Sequence, residues 1–151
     1  MTTMIIRTIR KQVKNEADII VLVVPQTGEN TRTTLLNEGA MVREVEPLDF
    51  TPPHQVGKLG KYQDQYAKIA LWNMTEYSQV IFFDSDVIIK GDITRLTSVL
   101  PKEEDFGAVI DFGEVHFYKD WTHYFNGGMF IIRPSKYRFN HILSVMNRAT
   151  D

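Results

Sequence analysis

The sequence predicts an α/β sandwich with a mainly parallel sheet and helices on both faces. Three observations carry this. Residues 19–24 and 80–83 are apolar runs without polar alternation, the composition of strands covered on both faces. Such runs alternate along the chain with stretches of helical periodicity. One of them stops abruptly at two carboxylates, at the strand end where α/β sheets collect their ligands.

The first element is a helix, because Met4, Ile5, Thr8, Ile9 and Val13 recur at helical spacing. Arg7, Arg10, Lys11 and Lys14 lie mostly off that stripe and read as a solvated face. Ile19-Ile20-Val21-Leu22-Val23-Val24 is the first buried strand, closed by the turn Pro25-Gln26-Thr27-Gly28. A short helix over 31–38 is capped by Gly39, and Met41 to Val45 alternates as a strand exposed on one side. Pro47 to Gly60 is too rich in breakers for a core element and reads as a surface loop.

Helical spacing returns over 64–75 through Tyr66, Ile69, Ala70, Trp72 and Met74. Val80-Ile81-Phe82-Phe83 is then a buried strand, followed by Asp84-Ser85-Asp86 and the short extended piece Val87-Ile88-Ile89. A weak helix over 93–100 leads to a strand at 106–110 and a polar aromatic loop from Asp111 to Tyr124. Phe125-Asn126-Gly127-Gly128 enters the strand 129–132, and a last helix runs from Pro134 to about Arg148 with Ser135 as its N-cap.

The composition excludes several classes of function. The 151 residues carry 17 Lys and Arg against 19 Asp and Glu, a formal charge of −2, so bulk electrostatics give no support to nucleic-acid binding. There is no cysteine, which removes disulfides, thiol nucleophiles and cysteine-bound metals. No apolar run approaches the roughly 20 residues of a membrane span, and Met1 to Arg7 lacks the basic leader and long apolar core of a secretory signal. The length fits one domain, residues 1–151. His54, His116, His123 and His141 have no zinc-hydrolase spacing, no serine sits in a G-x-S-x-G setting, and neither a P-loop nor G-x-G-x-x-G occurs.

Three segments carry candidate chemistry. In the first, Asp84 and Asp86 are spaced i, i+2 where a buried strand emerges, and on an extended backbone they point to one side. Held close, they repel unless a cation, a donor or a shared proton relieves them. Hard oxygens of this kind suit Mn²⁺ or Mg²⁺, with phosphate oxygens and water completing the shell. Two solvated turn aspartates have the same pattern. In the second, Lys68 sits among Tyr66, Ala67, Ile69, Ala70, Leu71 and Trp72. Its ammonium either snorkels to the surface or reaches Asp84 and a donor phosphate or sugar. In the third, Asn126 can exchange hydrogen bonds with sugar hydroxyls while Gly127 and Gly128 admit close backbone approach. The same residues also make a plain turn before a strand.

Taken in order, these segments resemble glycosyltransferase family 8, the glycogenin-like retaining enzymes of the GT-A fold. Arg7-Thr8-Ile9-Arg10-Lys11 followed by Ile20-Val21-Leu22-Val23-Val24-Pro25-Gln26 is similar to the family's first helix and its strand ending in a P-Q turn. Tyr66-Ala67-Lys68-Ile69-Ala70-Leu71-Trp72 resembles its K-L/I-x-x-W helix, and Phe82-Phe83-Asp84-Ser85-Asp86-Val87 its D-x-D strand. Phe125-Asn126-Gly127-Gly128-Met129-Phe130-Ile131-Ile132 resembles its F-N-S/A/G-G strand.

That resemblance implies a GT-A-like, Rossmann-type sandwich and transfer of a sugar from a UDP-sugar, with retention, using Mn²⁺ or Mg²⁺. By position Asp86 ligates the metal, and Asp84 shares it and touches the ribose. Lys68 contacts the donor sugar or diphosphate, and Asn126 binds the transferred sugar. Ser85 and Gly127 lie in the donor-binding blocks, and Asp111 resembles a further sugar-binding aspartate across a longer loop. The uridine-gripping strand that opens family members is not matched, nor are their D-Q and H-x-x-G-x-K-P-W segments. The expectation is therefore a partial domain, the middle of a larger one, with impaired activity.

The alternative reading is a non-catalytic α/β interaction module on the glycosyltransferase scaffold, with a homodimer through an exposed sheet edge as its candidate assembly. A metal-dependent phosphotransferase shares the D-x-D but not the Lys68 or Asn126 blocks. The acceptor, whether glycan, protein or lipid, is not legible. The expected protein is soluble, with the cytoplasm slightly ahead of the secretory lumen.

Overall fold

The computed structural model describes residues 1–14, 16–46, 48, 63–110 and 125–148. Helix α1 spans Thr2–Val13, strand β1 Ile20–Val23, helix α2 Glu29–Asn37 and strand β2 Met41–Glu44. A 3₁₀ helix follows at Gln63–Asn73 (the Lys68 helix), then strand β3 at Val80–Phe83 and a second 3₁₀ helix at Ile93–Ser98. Strands β4 at Phe106–Ile110 and β5 at Phe125–Ile132 precede helix α3 at Lys136–Arg148. The α/β class holds, and the helix and strand alternation is the one expected.

Strand β1 is covered on both faces, as its unbroken apolar run requires. Ile19, Val21 and Val23 pack with Ile6, Leu35 and Ala40. Ile20 and Leu22 pack on the opposite side against a cluster of Leu71, Met74, Phe130 and Ile132. Trp72, Phe82 and Phe106 extend that second cluster, with Phe82 and Phe130 stacked at 4.8 Å between ring centroids. Burying a side chain such as Ile132, which is 0% exposed, stabilises the fold by about 1.5–3 kcal/mol.

The strand directions differ from a mainly parallel sheet. β1 and β2 are parallel, with Ile20 opposite Met41 and Val23 opposite Glu44. β3 and β4 both run antiparallel to β5, which lies between them. Continuous apolar composition reports burial on two faces, and burial on two faces does not fix direction.

Helix α1 also differs in detail. Ile5 and Ile6 are its buried residues and Met4 is exposed, so the apolar stripe is rotated from the expected one. Two of its basic residues are engaged rather than merely solvated. Arg7 forms an ion pair with Glu38, and Arg10 donates to the Gly39 carbonyl. Gly39, at φ +82, ends α2 in the left-handed conformation a helix terminus favours in glycine. Ser135 caps α3 as expected, its Oγ accepting from the Arg138 N–H at 3.4 Å.

Candidate functional site

β3 carries Val80 to Phe83 through the second core, and the backbone at its exit is pinned. The Asp84 N–H donates to the Gly128 carbonyl at 2.8 Å, extending the ladder with β5 by one residue. The Val87 N–H then donates to the Asp84 carbonyl at 3.2 Å. Asp84-Ser85-Asp86-Val87 is therefore a closed turn rather than the extended segment expected, and Ser85 and Asp86 stand exposed at its tip.

Across from this turn, β5 is irregular. Ala108 faces Phe130 and Ile110 faces Phe125, so two steps along β4 are matched by five along β5. The surplus residues include Asn126, Gly127 and Gly128. Bulges of this kind re-aim side chains beside active sites. Here the Gly128 N–H donates to Asn126 Oδ1 at 2.8 Å, folding the amide back on its own backbone. A Cβ at Gly128 would lie 2.9 Å from Asn126 Oδ1 and 3.7 Å from Asp84 Oδ2, so the position has room for glycine alone.

The Lys68 helix brings the third block. Lys68 Nζ lies 2.8 Å from Asp84 Oδ1 and 2.9 Å from Asp84 Oδ2, and donates to the Gly127 carbonyl at 3.2 Å. The ammonium also stands 5.1 Å from the centroid of the Phe82 ring, within cation–π range. Its side chain is 18% exposed and that of Asp84 30%, so the pair is partly withdrawn from water. Of the two readings open for Lys68, the geometry is that of reaching Asp84.

Lys68, Asp84, Asp86, Val87, Asn126, Gly127 and Gly128 line one open cleft of about 440 Å³. One ammonium faces two carboxylates there, and Asp86 has no ion-pair partner among the described residues, leaving the cleft with negative charge to spare. Asp84 and Asp86 are oxygen donors suited to a hard divalent cation. No group of three or more His, Cys, Asp or Glu close enough to share a metal occurs among the described residues. The donor set thus fits an ion that leaves most of its shell to water and phosphate oxygens, as Mg²⁺ and Mn²⁺ do.

Asp111 lies outside the described residues. Val87 and Gly128 also line the cleft. Gly128 was signalled by the second glycine of the F-N-G-G block, whereas Val87 had no signal beyond adjacency to Asp86.

The fold is that of a glycosyltransferase. Over 98% of the chain it superposes on 59% of the galactosyltransferase LgtC, a structure in complex with donor and acceptor sugar analogs, with a TM-score of 0.65 at 17% identity. The profile of glycosyl transferase family 8 matches residues 4–149, and the chain belongs to that family.

Among its curated relatives, galactinol synthase 1 of Ajuga reptans is 27% identical over 90% of this chain and 48% of that protein. Galactinol synthase 4 of Arabidopsis thaliana is 28% identical, again over 90% and 48%. Galactinol synthase 2 of Solanum lycopersicum is 29% identical over 90% and 47%. The chain spans about half the length of the curated relatives it matches. No helix among the described residues is long and apolar enough to cross a membrane.

Proposed function

We propose that the cleft binds the diphosphate and sugar of a UDP-sugar, and that the chain serves transfer of that sugar, with retention, to an acceptor. The observation that carries this reading is the junction at Lys68 Nζ. One ammonium joins the Asp84 carboxylate to the Gly127 carbonyl, gathering three blocks far apart in sequence around one cleft.

Asp84 and Asp86 would hold Mn²⁺, or Mg²⁺ as the alternative hard cation. A bound cation of this kind supplies Lewis-acid neutralisation of a diphosphate leaving group. The remaining work falls to this chain's own groups. Lys68 places a positive charge where the donor's diphosphate or sugar would lie, and keeps Asp84 in one orientation. Asn126 commits its Oδ1 to Gly128, which leaves the Nδ2 donors for a sugar hydroxyl. Gly127 and Gly128 let the donor approach the backbone, and Ser85 stands at the rim of the turn. Asp111 is the candidate for a further sugar contact. The galactinol synthase names and the galactosyltransferase neighbour favour galactose as the sugar.

The test is calorimetric titration of UDP into the folded chain with and without Mn²⁺. Binding should require Mn²⁺ and disappear in Asp86→Ala. A folded wild-type chain that binds no UDP at millimolar ligand, with the metal present, would overturn the reading.

A further inference from the structure

Lys68 reaches the cleft across an aromatic floor. Val80 and Phe82 point into the second core from one face of β3, and strand alternation returns Asp84 to that face. The Lys68 helix packs on the same cluster through Leu71, Met74 and Trp72. Trp72 stacks on Phe130 at 5.6 Å between ring centroids, and Phe130 stacks on Phe82 at 4.8 Å. The Lys68 ammonium in turn stands 5.1 Å from the Phe82 centroid. Helix and sheet are thus joined twice, by Trp72 on Phe130 and by Lys68 on Phe82.

Phe82 and Asp84 both hold this ammonium, and of the two Phe82 is the fixed one. Its ring lies against Phe130, which is buried and meets Phe106 at 6.0 Å between centroids, so it cannot turn aside without opening the core. Asp84 instead heads an open turn, and its oxygens are the ones proposed to meet a divalent cation. A lysine stem has much rotamer freedom to lose, and a contact at the tip alone leaves most of it. The face of an aromatic ring is negative and attracts an ammonium most strongly where water is excluded. Lys68 is partly withdrawn from water.

The geometry points to Phe82 as a positioning residue, whose ring face seats the Lys68 ammonium in the cleft independently of the charge on Asp84. Phe82 lies behind the residues that line the cleft and acts through Lys68. Its ring offers a seat for which a cation at Asp84 does not compete, so Lys68 keeps its place when that carboxylate is engaged elsewhere. The Gly127 carbonyl, 3.2 Å from the same nitrogen, completes the seat. What the seat does for UDP rests on the donor site proposed above. The contact of ammonium and ring does not.

NMR of the full chain with isotopically labelled lysine reads the contact without any ligand. The Lys68 protons beside the ammonium, assigned by their loss in Lys68→Met, should resonate upfield of those of the other lysines, because they sit in the Phe82 ring current. Phe82→Leu should remove that shift, and Phe82→Tyr and Asp84→Asn should both retain it. Para-fluoro- and trifluorophenylalanine placed at residue 82 then drain the ring face of negative charge at nearly constant size. With Mn²⁺ present, UDP affinity should fall in order of fluorination, to about fivefold below wild type in the trifluoro protein. Three results would overturn the proposal: an unshifted Lys68 in the wild type, a shift lost in Asp84→Asn, or UDP affinity indifferent to fluorination. A wild type that shows the shift and binds no UDP overturns the donor site and leaves the seating of Lys68 by Phe82 standing.

Discussion

Lys68 and Asp84, 16 residues apart, meet with the ammonium 2.8 Å from one carboxylate oxygen and 2.9 Å from the other. The pair joins the Lys68 helix to the exit of β3, and a third bond from the same nitrogen reaches the Gly127 carbonyl on β5 at 3.2 Å. A cation so placed holds the cleft together and offsets part of its negative charge.

Those two roles separate in Lys68→Met, which keeps the side chain's bulk and removes its charge. Asp84 is left without its donor in a partly buried setting, so stability should fall by about 1–3 kcal/mol in urea unfolding. With the ammonium gone, two carboxylates face one cleft. Mn²⁺ alone, followed by its paramagnetic broadening of nearby amides, should therefore bind more tightly than in the wild type. UDP should bind less tightly, because the positive charge proposed to meet its diphosphate is lost.

Much of this cleft is legible in the sequence. The strand carrying Asp84 follows from four apolar residues ending in a carboxylate, and Lys68, Asp86, Asn126 and Gly127 do line one cleft. What was not legible depends on pairing. The i, i+2 spacing puts Asp84 and Asp86 on one side only of an extended backbone, and the Val87 bond to the Asp84 carbonyl is what makes the turn. The direction of β5 could not be read from Met129 to Ile132, because their composition records burial and not orientation. Gly128 acquires its importance from the surplus residues in β5, a register effect that no local pattern encodes. The rotated stripe of α1 has a similar origin, since Ile6 rather than Met4 is chosen by contact with Val23 and Leu35.

Gly128→Ala tests that register effect. Its added Cβ would fall 2.9 Å from Asn126 Oδ1, so the amide must swing away and the bond from the Gly128 N–H breaks. The cost should be about 1–3 kcal/mol, the range for forcing extra atoms into a filled space. The loss of UDP affinity should match that of Asn126→Ala, since one variant displaces the amide from its place in the cleft and the other removes it. A double variant should add little to either, which calorimetry can check.

Acid sensitivity should trace partly to the junction of α1 and α2. The Arg7 guanidinium, hydrogen-bonded to Glu38, holds that carboxyl below the usual range and is itself pushed up. A carboxyl depressed in the folded state contributes stability that is present above its unfolded value, ordinarily about 4.3, and lost as pH falls through the folded value. Arg7→Gln should therefore be less stable than wild type near pH 7. The gap between their urea midpoints should close below roughly pH 4. High salt at pH 7 should narrow it too, because the Arg7 guanidinium is exposed to solvent.

Gln12 offers the last test, on how α1 holds the segment beyond the cleft. Its Nε2 donates to the Gly91 carbonyl at 3.1 Å and its Oε1 accepts from the Ile93 N–H at 2.7 Å, so one side-chain amide satisfies a backbone acceptor and donor together. The second bond stands at the N-terminus of the Ile93 helix, whose first turn Asp92 also caps by accepting from the Thr94 N–H at 3.0 Å. Gln12→Leu keeps the apolar stem, returns the exposed Gly91 carbonyl to water and leaves the part-buried Ile93 N–H without its acceptor, with an expected cost of about 1 kcal/mol. Gln12→Glu keeps the acceptor and sets a carboxylate against the Gly91 carbonyl, so it should recover much of its deficit when titrated to low pH, where the protonated acid can donate. Urea midpoints of the three proteins at pH 7 and pH 4 separate these effects. If Gln12→Leu matches wild type at both pH values, the clamp contributes nothing.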